Sequence, residues 1–189
     1  MRSTSRPRSD EIADAAVRCF ARDGFGASLR TVAAEAGVSA ALIVHHFGSK
    51  QGLIEACDVR VLGVADEKLR LLNNEGIASA AAWVIEVMQQ GVVPAYISRA
   101  LVEGGDAGKH LFTSFVDVTE KALLDLDLPE PRMTAALLVT HSLGTMVLSD
   151  HIAEATGAAP YSNDGIGRLA IAAFSIYRGA LGAFLEEQD

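Results

Sequence analysis

The chain has 189 residues, half of them apolar and 21% charged, with a formal net charge of −8. That is enough apolar material for one packed domain, or for a small module joined to a larger one, and it excludes a disordered chain. An acidic chain repels a polyanion, yet the charge is uneven: residues 1–50 carry seven Lys/Arg against five Asp/Glu and the remainder nine against nineteen, so the N-terminal part could approach phosphate while the rest keeps the protein soluble.

Met1–Arg8 is polar and basic, with Arg2, Arg6 and Arg8 and no apolar run behind it, so no secretory leader is read there. Ser9 is placed to cap a first helix, whose Ile12, Ala15, Ala16, Cys19 and Phe20 form one apolar stripe, and Gly24 and Gly26 end it. Ser28 caps a short second helix with Leu29, Val32, Ala33 and Ala36 on one face, stopped by Gly37. Ser39 caps a short third helix ending near Phe47-Gly48, and Ser49 caps a long fourth from about Lys50 to Leu72, broken by Asn73, Asn74 and Gly76.

Five more helices are predicted at 78–90, 94–103, 106–126, 132–156 and 163–187. Pro94 suits a first helical turn. Gly104-Gly105, the pair Pro129 and Pro131, and the loop from Gly157 to Gly165 separate the later ones. No stretch alternates apolar and polar residues as a strand would. The expectation is an all-α protein of about nine helices: a three-helix module over 1–48 and a larger helical domain over 49–189.

Cys19 and Cys57 lack metal-ligand spacing and fall on apolar helical positions, which reads as buried thiols in a reducing compartment. The longest charge-free run, Met133–Ser149, includes Thr134, Thr140, His141, Ser142 and Thr145 and falls short of the ~20 apolar residues of a membrane span. A soluble cytoplasmic protein is expected, with no cofactor and no metal. His45-His46 cannot form a metal pair alone, because adjacent helical side chains diverge by ~100°. His110, His141 and His151 are isolated.

Two short capped helices joined by a glycine-containing turn form the helix-turn-helix pattern. Its second helix must lie in the major groove of duplex DNA, and its first must hold that helix at a fixed angle. Val32, Ala36, Val38, Ile43 and Phe47 can supply the shared apolar face, and Gly37 the permissive backbone at the bend.

The stretch from Phe25 to Leu53 resembles the DNA-binding module of the tetracycline-repressor (TetR/AcrR) family. Ala36-Gly37-Val38-Ser39 matches its turn, and His46-Phe47-Gly48-Ser49-Lys50 with Leu53 matches its helix-3/helix-4 signature. The resemblance implies that Arg30 and Thr31 face phosphate, that Ser39, Ala40, Ala41, Leu42, Val44 and His45 belong to the recognition helix, and that His46 and Lys50 meet the DNA backbone. The chain departs from the family at Ala40, Leu42 and Val44, where a polar or basic residue, threonine and tyrosine are usual. Either these residues form an apolar reading face for thymine methyls with His45 as the polar reader, or phosphate contacts and DNA shape carry the binding, or the module has lost DNA binding.

Trp83, Met88, Tyr96, Phe112, Phe115 and Met146 recur along the middle helices, a pattern that ordinary core also produces. The resemblance implies that the same helices surround a drug-sized apolar cavity, with Tyr96, His141 and Thr145 as its polar groups. It also implies a C2 homodimer through the last two helices, where Leu169, Ala172, Ala173, Ile176, Ala180, Ala183 and Phe184 cover more than one stripe. The implied function is a ligand-responsive regulator, a repressor released from a near-palindromic operator by a small apolar effector, with efflux genes as candidate targets. The chain is expected not to be an enzyme. Two other classes stay open: a helical interaction protein with a vestigial helix-turn-helix, and a hydrolase using Ser142. Thr140-His141-Ser142-Leu143-Gly144 matches only part of a nucleophile elbow, since its first glycine is Thr140 and no strand precedes it.

Overall fold

The computed structural model describes residues 7–103, 105–124 and 128–186, the side chains of 69, 72, 73, 77, 78, 174 and 176–186 aside. Among the described residues there are ten helices and no strand: α1 (Arg8–Asp23), α2 (Leu29–Ala36), α3 (Ala40–Phe47), α4 (Lys50–Glu75), α5 (Ile77–Gln90), α6 (Val92–Glu103), α7 (Gly105–Leu123), α8 (Pro131–Val147), α9 (Ser149–Thr156) and α10 (Asn163–Glu186). The all-α expectation holds.

Three boundaries differ from the sequence reading. Pro7, not Ser9, occupies the N-cap of α1, and Ser9 lies inside the helix. The Arg8–Glu11 ion pair at 2.6 Å spans that first turn. α4 runs through Asn73 and Asn74 and stops only at Gly76, because packing of α4 against α5 outweighs the weak helix propensity of asparagine. The segment 132–156 is two helices. Leu148, at φ −99° and ψ 15°, leaves the helical region and separates α8 from α9, a one-residue break that apolar periodicity does not register.

One apolar cluster runs through the molecule. α1 lies against α2, α4 and α6, and α7 against α4, α6 and α8. Ile12, Phe20, Val32, Ile43, Leu53, Tyr96 and Leu111 are wholly buried in this cluster. The apolar stripe read along α1 is therefore the face that joins the helix-turn-helix to α4 and α6. Cys19 and Cys57 are both buried free thiols on these faces, and burial pushes both above the ordinary thiol range. No helix among the described residues is long and apolar enough to cross a membrane.

Candidate nucleic-acid interface

Each of the short helices starts on a serine that the sequence marks. Ser28 Oγ accepts from Thr31 N–H at 3.2 Å, Ser39 Oγ from Leu42 N–H at 3.2 Å, and Ser49 Oγ from Gly52 N–H at 3.0 Å. Between α2 and α3 the chain turns on Gly37, whose φ of 64° is open to glycine at little cost. Two backbone bonds close this bend: Gly37 N–H to Ala34 C=O at 3.3 Å and Val38 N–H to Ala33 C=O at 2.9 Å.

Val32 and Ile43 are wholly buried and pin the two helices to the core. The opposite faces are left to solvent. Arg30 and Thr31 at the start of α2, Ser39 before α3, and Ala41, Val44, His45 and His46 along α3 are exposed, while Ala40 and Leu42 are half-buried. Val44 is 45% exposed, on the side of α3 turned away from the buried Ile43. The imidazoles of His45 and His46 lie edge to face, 5.6 Å between centroids. So the structure places most of the expected recognition residues on one accessible surface of eight-residue α3, and that surface is apolar apart from the two histidines.

Lys50 is different. It is half-buried, and its Nζ donates to the Phe25 carbonyl at 2.5 Å. An ammonium has three donors, so one is committed to the loop between α1 and α2. The N–H of the same Phe25 donates to Glu103 Oε2 at 2.9 Å. Arg99, one turn earlier on α6, donates to Glu103 Oε1 at 2.9 Å and to the last carbonyls of α1, Ala21 at 3.3 Å and Arg22 at 3.0 Å. The Phe25 N–H and the Arg99 guanidinium hold the Glu103 carboxyl below its usual range. Phe25 is thus gripped from α4 and from α6, and its ring stacks on Phe20 and meets Tyr96 edge-on at 5.1 Å. This joint is not legible in the sequence. Its only local trace is the Arg99/Glu103 spacing of four, which is also that of an ordinary surface pair.

Part of the basic charge of the first fifty residues is paired in place. Glu35 on α2 takes Arg22 at 3.1 Å and Arg18 at 3.4 Å, both from α1. Hydrogen bonds from these two guanidinium groups hold its carboxyl below the ordinary value. Arg30 has no carboxylate partner among the described residues, and its exposed position beside the N-terminus of α2 leaves its charge to solvent.

The seven expected ligand residues are spread over α5 to α8. Phe112 lines an open, almost wholly apolar groove of about 320 Å³, with Leu101 from α6 and Thr140, Leu143, Gly144, Val147 and Leu148 from α8 and its end. Met88 lines a second open groove of about 320 Å³ between α5, α9 and the loop around Tyr161. Trp83 is half-buried and Phe115 buried. Tyr96 and Thr145, expected to offer polar groups to a cavity, have their hydroxyls engaged internally. Tyr96 O–H donates to buried Asp58 at 2.7 Å, and Thr145 O–H to the His141 carbonyl at 2.7 Å. The His141 side chain is exposed. Ser142 lies inside α8 rather than on a strand-to-helix turn, so the nucleophile-elbow geometry is missing. No group of three or more His, Cys, Asp or Glu side chains is arranged for a metal among the described residues.

Residues 12–57, which span α1 to the start of α4, match the family model for bacterial regulatory proteins of the tetR family. The transcriptional regulatory protein RaaS of Mycobacterium tuberculosis, of the helix-turn-helix type, is 38% identical over 124 residues, 65% of this chain. The aligned part spans 58% of that relative's length. SmeT, the repressor of the Stenotrophomonas maltophilia multidrug efflux pump SmeDEF, superposes with a TM-score of 0.54 at 22% identity, over 87% of each chain. A tetR-family regulator from Streptomyces coelicolor superposes with a TM-score of 0.53 at 21% identity, over 89% of this chain and 93% of that one. These two likenesses show a shared fold.

Proposed function

Because residues 12–57 match the model of the tetR family of bacterial regulatory proteins and a transcriptional regulator is 38% identical over 124 residues, we propose that the chain is a ligand-responsive transcriptional regulator of that family that docks α3 in the major groove of duplex DNA. The observation that carries this reading is the pairing of two serine-capped helices across Gly37, with Ile43 buried and Ala41, Val44, His45 and His46 exposed on the other side of α3. Apolar side chains there suit thymine methyls, and His45 can donate to a base edge. Arg30, Thr31, Ser39 and His46 supply the phosphate contacts, joined by the donors of Lys50 that Phe25 leaves free. The module comprises residues 1–48 and the effector and dimerisation domain residues 49–189.

In this reading the molecule acts as a C2 homodimer with two α3 helices about one DNA turn apart, ~34–36 Å. Met133, Leu137 and Leu148 on α8 and at its end, and Ile171 on α10, are exposed large apolar residues that a second copy would cover. Of the seven residues expected there, Leu169 and Ala173 are half-buried and Ala172 is exposed, while Ile176, Ala180, Ala183 and Phe184 have side chains outside the described residues. The effector is small and apolar, and the groove beside Phe112 is its proposed seat. Binding that favours a different setting of α4 and α6 would shift Phe25 and the helix-turn-helix with it, releasing the operator. Repression and control of efflux genes follow the function named for SmeT.

Fluorescence anisotropy with duplex DNA tests the reading. Affinity should fall steeply as salt rises, because phosphate contacts release counterions, and Val44→Asp should abolish specific binding by placing a charge against the duplex. Salt-independent binding, or equal binding by Val44→Asp, favours the interaction-protein alternative.

A further inference from the structure

Asp58 is the one carboxylate among the described residues that is buried, at 2% exposure, and it sits on α4, eight residues from Lys50. Its Oδ1 accepts from Tyr96 O–H of α6 at 2.7 Å. Its Oδ2 lies 3.6 Å from Nδ1 of His110 on α7, whose side chain is 60% exposed. Three helices therefore meet at one carboxylate, and the third contributes an ionisable group that water can reach. Tyr96 in turn sets its ring against Phe25, the residue that Lys50 and Glu103 hold.

We propose that Asp58, Tyr96 and His110 form a proton-operated latch that ties α7 to α4 when His110 carries a proton and slackens when it does not. A buried carboxylate needs compensation. The neutral phenol of Tyr96 gives one hydrogen bond, and only an imidazolium adds an opposite charge. Burial raises the Asp58 carboxyl above its ordinary range, while Tyr96 and His110 oppose that shift.

The direction follows from the surroundings. Facing this site are Asp58, Glu55 and Cys57 on α4 and Tyr96 on α6. Lys109 and Asp106, on α7 itself, pair with each other at 3.6 Å. From α1, which packs on α4, Asp10 and Asp14 are turned to Arg60 at 3.4 and 3.2 Å. On the α8 side of α7, Arg132 is taken by Asp117 and Glu120. His110 is thus the cation directed at Asp58 among these groups. With both groups ionised the pair attracts. As pH rises through the imidazole titration the attraction is lost, and the ionised carboxylate keeps only Tyr96.

The test is thermal unfolding of the full chain and of His110→Gln between pH 6 and pH 8. His110 is exposed, so glutamine there leaves the fold intact, and groups elsewhere titrate equally in both proteins. The natural chain should melt about 2–4 °C above His110→Gln at pH 6 and level with it at pH 8. A difference that is the same at both pH values would overturn the latch. A second measurement repeats the comparison in an Asp58→Asn background, which keeps an acceptor for Tyr96 but removes the charge that His110 faces: there His110→Gln should lower the melting temperature no more at pH 6 than at pH 8. A pH-dependent difference that persists without the Asp58 charge would equally overturn it.

Discussion

Gly52, in the first turn of α4, has no room for a side chain: a Cβ there would sit 2.2 Å from the Phe47 carbonyl oxygen. That carbonyl also accepts from Ser49 N–H at 2.8 Å, so it cannot move without opening the junction between α3 and α4. Gly52→Ala should therefore cost about 1–3 kcal/mol, read as a lowered urea midpoint, despite the better helix propensity of alanine. Tyr96→Phe acts on a different balance. It leaves buried Asp58 without its phenol donor, a loss of about 1–3 kcal/mol. The folded Asp58 carboxyl already titrates above its unfolded value, so its ionisation takes stability away as pH rises through the folded value. The phenol bond opposes this shift, and removing it makes ionisation dearer still. The Tyr96→Phe penalty should be large at pH 8 and shrink as acid protonates Asp58; a pH-independent penalty in urea melts would contradict this.

Helices α2 and α3 show what a sequence makes legible. Ser28, Ser39 and Ser49 act within three residues of themselves, so their caps can be read from the chain alone. The same holds for Gly37, whose positive φ is a local demand of the bend. Lys50 was not legible in the same way. Its position as the first residue of α4 suggests an anion, but its Nζ meets a carbonyl 25 residues away, and Arg99 and Glu103 reach across 77 or 78 residues to the end of α1 and the same loop. Contacts of that separation leave no periodic trace. The effector residues failed to gather for a related reason, since an aromatic on an apolar face reads alike whether it lines a cavity or, like Tyr96, is closed in the core. Two substitutions test α2 and α3 as elements. Ser39→Ala should cost about 1 kcal/mol of stability through the lost cap. Arg30→Ala should leave stability unchanged but weaken binding to all duplexes alike and reduce the salt slope by about one.

At the scale of the whole molecule, the acidic balance and the proposed DNA partner are reconciled by placement rather than by surplus charge. Ion pairs within α1 and α2 consume Arg8, Arg18 and Arg22, and the exposed face of α3 carries no acid. The proposed docking uses two copies, because one short apolar helix offers few contacts. Leu137, 59% exposed on α8, lies on the face assigned to the second copy. Leu137→Glu should give a monomer in sedimentation at micromolar concentration and lose operator binding, with helix content preserved.

Selection of binding sites from genomic fragments by the purified chain reads out the proposed two-fold docking of α3 on duplex DNA. One near-palindromic sequence with half-sites about 10 base pairs apart should be enriched, and lost with Val44→Asp. Fragments recovered without a shared two-fold sequence, or recovered equally by Val44→Asp, would contradict it.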